Sequence, residues 1–191
     1  MAKKQTKKIK EMIVQFELPE GISTEIKERK LILRKDSKEI IRNIDFGLVV
    51  TLEGNKIEIK TRNSKKDMRR LVKTLLSHLK NAIEGFNKDF EYELEICNVH
   101  FPITVTFDKS KAEFIVKNLL GERSPRIIKA FNPQKVEVEI KAPHIKIKSY
   151  DLETAGQNAA NLEKVTLIRN RDRNKFQDGI FITKKPGKEG M

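Results

Sequence analysis

The sequence predicts an α+β protein made of two tandem, similar domains, each a set of antiparallel β-strands packed on one main helix. Three observations carry this expectation. Residues 48–61, Leu-Val-Val-Thr-Leu-Glu-Gly-Asn-Lys-Ile-Glu-Ile-Lys-Thr, alternate apolar and polar positions on both sides of Gly54-Asn55. That is the pattern of a β-hairpin with a two-residue glycine turn. A stripe of apolar residues at helical spacing follows it, from Met68 to Ile83. The same hairpin-then-helix design returns 88 residues later, from Val136 onward. The expected divisions are a basic arm at 1–11, a first domain at 12–88, a second at 89–183 and a basic tail at 184–191.

The elements follow in order. The arm carries Lys3, Lys4, Lys7, Lys8 and Lys10 without apolar periodicity, so it reads as a solvated segment that orders only against a partner. In the first hairpin Leu52 faces Ile57 and Val50 faces Ile59. Ser64 with Asp67 three residues on resembles a capping box. The helix then places Met68, Leu71, Val72, Leu75, Leu79, Ala82 and Ile83 inward and is expected to end near Gly85. Its outer face carries Lys65, Lys66, Arg69, Arg70, Lys73 and Lys80. Phe90 to Ile96 alternates as a strand, with Glu91, Glu93 and Glu95 on its wet face.

In the second hairpin, a turn centred on Ala142-Pro143 sets Glu137 opposite Lys148 and Glu139 opposite Lys146. Such opposite charges favour the register by roughly 0.2–1 kcal/mol per pair. The proline leaves the turn type open. Asp151 is the expected N-cap of a second helix, with Leu152, Ala155, Ala159, Leu162 and Val165 or Thr166 inward. The repeat aligns Leu48 with Val136, Val50 with Val138, Leu52 with Ile140, Ile57 with Ile145, Ile59 with Ile147 and Leu79 with Leu167. Upstream, residues 29–34 resemble residues 111–117, and the second copy has a longer loop around 121–126.

Charge narrows the function. The 191 residues hold 40 Lys+Arg against 27 Asp+Glu, a net charge of +13, which favours a polyanionic partner. No apolar stretch approaches a membrane span, and the basic N-terminus has no apolar segment behind it, so neither a membrane partner nor a secretory signal is expected. The single Cys97 permits no internal disulfide and suits a reducing compartment, where it reads as a small core residue. His78, His100 and His144 lack metal-ligand spacing. No phosphate-binding or nucleophile motif occurs. The expectation is therefore no enzyme, no cofactor, no metal and no small-molecule substrate.

The segment with most chemistry follows the second helix. Arg169, Arg171, Arg173 and Lys175 fall within seven residues, interleaved with Asn170, Asn174 and Gln177, and Phe176 can stack or anchor. Guanidinium groups suit bidentate phosphate contacts, and amides can reach base edges or ribose hydroxyls. Asp178-Gly179 signals a turn and 180–182 a short strand. Gln157 and Asn158 on the second helix are either RNA-contacting amides or solvated ones on a helix packed close to its own sheet. Arg123 and Arg126 form a further candidate loop or a charged insertion, and Lys184 and Lys185 open the tail. On composition alone, a general, chromatin-like nucleic-acid-binding protein is the alternative.

Ala155-Gly-Gln-Asn-Ala-Ala-Asn-Leu162, Arg169-Asn-Arg-Asp-Arg173 and Phe176-Gln-Asp-Gly-Ile180 resemble the universal large-subunit ribosomal protein family numbered six in bacteria and nine in eukaryotes. They are most similar to its archaeal and eukaryotic branch. The resemblance spans about 12–185; the bacterial branch departs at 170–179, and the Lys-rich arm lies outside the pattern. It implies two similar α+β domains from an internal duplication, no enzymatic activity and no cofactor. It also implies binding to large-subunit ribosomal RNA near the sarcin–ricin loop, at the base of the region where translation factors dock. Much of the RNA contact falls to the C-terminal domain. Neighbouring ribosomal proteins are the further partners, on the large subunit in the cytoplasm.

Overall fold

The computed structural model describes residues 12–61 and 65–187. The chain divides between Phe86 and Asn87 into two compact units. The arm at 1–11, the Ser64 cap and the last four residues lie outside the described residues.

The N-terminal unit contains β1 (Met12–Glu17), β2 (Ser23–Lys27), β3 (Lys30–Lys35), β4 (Lys38–Asn43), β5 (Leu48–Glu53), β6 (Lys56–Thr61) and α1 (Lys66–Asn87). The strands form two antiparallel sheets, ordered β1-β6-β5 and β2-β3-β4. The β5–β6 hairpin has the register its alternation requires: Leu52 opposes Ile57 and Val50 opposes Ile59. Gly54 takes φ +61° in the turn, where any side chain would be strained. Ile57, Ile59, Leu31, Leu33, Ile40, Val72 and Leu79 are fully buried. The helix ends at Asn87, near Gly85 as the sequence leads one to expect. Gly85 and Phe86 are both buried, so core packing holds the last turn and the glycine is an interior residue, not a cap.

The C-terminal unit contains β7 (Phe90–Cys97), β8 (Thr104–Asp108), β9 (Glu113–Lys117), β10 (Arg126–Lys129), β11 (Glu137–Lys141), β12 (His144–Ser149), α2 (Leu152–Val165) and β13 (Gly179–Lys184). Its sheets are ordered β11-β12-β7-β13 and β10-β9-β8. Glu137 opposes Lys148 and Glu139 opposes Lys146, as their charges favour. The Ala142–Pro143 peptide is cis, the geometry that admits proline at the third position of a turn. On the wet face Lys146 lies 3.0 Å from Glu91 and 3.1 Å from Glu93, and Lys148 lies 3.3 Å from Glu91. Leu94, Ile96, Ile145, Ile147 and Ile180 face the core with Phe114 and Val116. Ala155, Ala159 and Leu162 of α2 are wholly buried.

Two expectations fail here. Leu167 does not match Leu79: Leu79 is buried in α1, whereas Leu167 lies past the end of α2 and is 49% exposed. The helix ends after 14 residues at Thr166, whose hydroxyl accepts the Ile180 N–H at 3.0 Å and so ties the chain to β13 at that point. Lys184, assigned to the tail by sequence, is the last residue of β13.

Candidate nucleic-acid interface

The basic segment between α2 and β13 is a loop with fixed ends. At its start the Thr166 hydroxyl accepts the Ile180 N–H at 3.0 Å, so both ends of the loop meet. At its close Asp178 is buried. One carboxylate oxygen accepts the N–H groups of Val99 and His100, each at 2.8 Å. The other meets the His100 ring at 2.6 Å. Burial alone would raise this carboxyl's pKa, but the His100 and Val99 contacts outweigh it and hold it at about 2.

Within the loop, Asn170 sits in the left-handed region at φ +57°. Asp172 organises the next turn. Its side chain accepts the Asn174 N–H at 3.0 Å, and its carbonyl accepts those of Lys175 and Phe176 at 3.2 and 2.9 Å. Phe176 turns back onto the protein and stacks on the His100 ring, 5.1 Å between centroids and 21° from parallel. The Arg171 guanidinium lies 5.3 Å from the same aromatic ring, within cation–π range. Arg169, Asn170, Arg171, Arg173, Asn174, Lys175 and Gln177 are all exposed. One anchored loop thus brings seven of the sequence-predicted residues together, its aromatic inward and its cations outward.

The other candidates separate. Asn158 is a correction: it is fully buried and cannot meet RNA. Its side-chain oxygen accepts the Phe131 N–H, and its nitrogen donates to the Phe131 and Thr154 carbonyls, each at 2.8 Å. Gln157, one residue earlier on α2, is exposed and bonds Asn161 at 2.8 Å. Arg126 is half-buried, bonds Glu122 at 2.8 Å and donates to the Val165 carbonyl, so it clips β10 to the end of α2, next to the loop base. Arg123, Lys184 and Lys185 are exposed.

Sequence reasoning missed the pairing of Asp178, read with Gly179 as a turn signal, and His100, noted as lacking metal-ligand spacing. They are 78 residues apart, and no local spacing links them. Among the described residues, no three His, Cys, Asp or Glu side chains gather as metal ligands would. No helix among them is long and apolar enough to cross a membrane.

No family model matches the chain. Its relatives do. The large ribosomal subunit protein uL6 of Methanococcus vannielii is 34% identical over 175 residues, covering 91% of this chain and 94% of that protein. That of Staphylothermus marinus is 34% identical over 177 residues, 92% and 95% of the two chains. That of Archaeoglobus fulgidus reaches 38% over 140 residues, 73% and 69%. Identity sustained over such shares of both chains assigns the family: the chain belongs to the uL6 family of large ribosomal subunit proteins, in its archaeal-type branch.

Proposed function

We propose that this chain is a structural, non-enzymatic constituent of the large ribosomal subunit in the cytoplasm. It binds large-subunit ribosomal RNA near the sarcin–ricin loop, at the base of the region where translation factors dock, beside neighbouring ribosomal proteins. The observation that carries this reading is the loop anchored by Thr166 and Asp178, which offers Arg169, Arg171, Arg173 and Lys175 to solvent from a rigid base. Membership of the uL6 family supports it.

Each cation set against a phosphate releases counterions, and the fixed ends reduce the entropy lost on binding. Asn170, Asn174 and Gln177 supply donors and acceptors for base edges and 2′-hydroxyls. Arg123, Gln157, Lys184 and Lys185 extend the contact. The two units are read as duplicated domains, near 12–88 and 89–183. Strand orders β5-β6-β1 and β11-β12-β7, and β2-β3-β4 and β8-β9-β10, support that reading.

The test is binding of the full chain to a large-subunit ribosomal RNA transcript that spans the sarcin–ricin loop. Replacing Arg169, Arg171 and Arg173 together by Gln is expected to weaken binding at least tenfold while thermal unfolding stays unchanged. Salt dependence should flatten by about 0.7–0.9 in log–log slope for each phosphate no longer neutralised. Undiminished affinity in the triple variant would sink the loop assignment. Failure of the protein to co-sediment with large subunits after a high-salt wash would sink the ribosomal reading itself.

A further inference from the structure

The outer face of the four-stranded sheet is a ladder of charge, with Glu91 and Glu93 on β7 against Lys146 and Lys148 on β12. Phe181 on β13 interrupts it. Its neighbours Ile180 and Ile182 turn into the core. Strand alternation therefore puts Phe181 on the opposite face, across from Glu95. An aromatic there serves no core. It is half-buried beside Phe176 and Arg173 of the basic loop. These three side chains wall an open cleft of about 590 Å³ that runs to Cys97 and Val99, within the ~300–1,000 Å³ typical of ligand sites. Asn98, Gln177 and Glu95 also line it, and the Asn98 side-chain oxygen already accepts the Ile103 N–H at 3.0 Å.

We infer that this cleft holds one unpaired RNA base, stacked on Phe181 and Phe176, with Arg173 on its phosphate. The inference rests on the RNA-binding reading above and names where a base, as opposed to backbone, is gripped. Proteins that recognise single-stranded RNA stack splayed bases on aromatic faces and guanidinium planes and bond the base edges with amides. All of these groups meet here. Arg173 in the wall and the exposed Arg169, Arg171 and Lys175 of the same loop match a polyanion better than an apolar protein side chain. Phe181 also stands where a sheet face would otherwise carry a charged or polar residue.

The experiment uses the full chain and the same transcript, with Phe181→Thr, Phe181→Tyr and ultraviolet crosslinking at 254 nm. Threonine keeps the strand preference and removes the ring; tyrosine keeps the ring. Base–aromatic stacking predicts that Phe181→Thr weakens binding by about 5- to 150-fold. The salt slope should not change, because the ring neutralises no phosphate, and Phe181→Tyr should bind as the wild type does. The crosslinked peptide is expected to carry one nucleotide at Phe176 or Phe181. Wild-type affinity in Phe181→Thr, with no crosslink on either phenylalanine, overturns the base site and leaves the RNA-binding reading standing. Loss of subunit incorporation with intact RNA affinity also overturns it, and assigns the cleft to a neighbouring protein. If Phe181→Thr fails to fold, the wild-type crosslink alone decides. Absence of any ribosomal RNA binding by the wild type overturns both readings.

Discussion

Asn158 directs every polar atom of its amide to the backbone of its own unit, holding Phe131 and Thr154. Alanine there would leave the part-buried Phe131 N–H without this acceptor and remove the donor to two carbonyls, at a cost of about 1–3 kcal/mol. The expected outcome for Asn158→Ala is a lower unfolding midpoint and unchanged RNA affinity of the folded fraction. A residue touching RNA would give the reverse, so denaturation and binding titrations together check it. Asp178 carries a pH signature. Its folded pKa of about 2 lies below the ordinary value near 4, so the unfolded chain takes the proton more readily. The stabilisation is complete above pH ~4 and disappears as pH falls through 2. A carboxyl held that far below its ordinary value contributes on the order of 2–3 kcal/mol. Asp178→Asn keeps an acceptor for the Val99 and His100 N–H groups but loses the carboxylate facing the His100 ring. Urea unfolding between pH 5 and 2.5 should show a smaller acid loss in that variant than in the wild type.

Elements were legible where their periodicity carried the decision, and obscure where distant residues did. Both hairpins follow from alternation, because slipping either by one residue would turn Ile57 and Ile59, or Ile145 and Ile147, out of the core. Asp151 as N-cap of α2 was equally readable, and its side chain accepts the Glu153 N–H. The exact helix ends and their causes were less so. Gly85 looks like a stop signal until Phe86 is seen buried beside it. The loop cations were visible as a run, but Asp178 at the close of that loop is held by Val99 and His100, in the bend after β7 and 78 or more residues away. The small-residue start of α2 has a definite role: a Cβ at Gly156 would lie 2.9 Å from the Tyr92 hydroxyl. Glycine thus sets how closely α2 approaches β7. Gly156→Ala gains ~1 kcal/mol in helix propensity but must displace the phenol. We expect it to be neutral or destabilising beside Tyr92, and stabilising by about 0.5–1 kcal/mol in a Tyr92→Phe background. A double-mutant cycle of unfolding free energies tests this, and equal effects in both backgrounds would contradict the contact.

At the scale of the whole molecule, net charge and binding site part company. Residues 1–88 hold 22 basic and 12 acidic side chains, a surplus of +10, whereas residues 89–191 hold 18 and 15, a surplus of only +3. The candidate interface nevertheless lies in the less charged half, because site geometry depends on anchored presentation and not on bulk charge. The two sources of affinity should therefore separate by experiment. Residues 1–11 contain five lysines and no interleaved aromatic, so removing them should weaken binding to ribosomal RNA and to duplex DNA by similar factors. Both salt slopes should flatten as counterion release diminishes. Replacing Arg169, Arg171 and Arg173 by Gln should instead act mainly on ribosomal RNA, because that loop combines cations with amides and the aromatic Phe176, the groups that recognition of unpaired bases uses. Titrations of both variants against both nucleic acids, at two or more salt concentrations, give the comparison. Equal losses on RNA and DNA for the loop variant would make the protein a general polyanion binder. A selective loss on RNA would locate specificity in the loop held between Thr166 and Asp178.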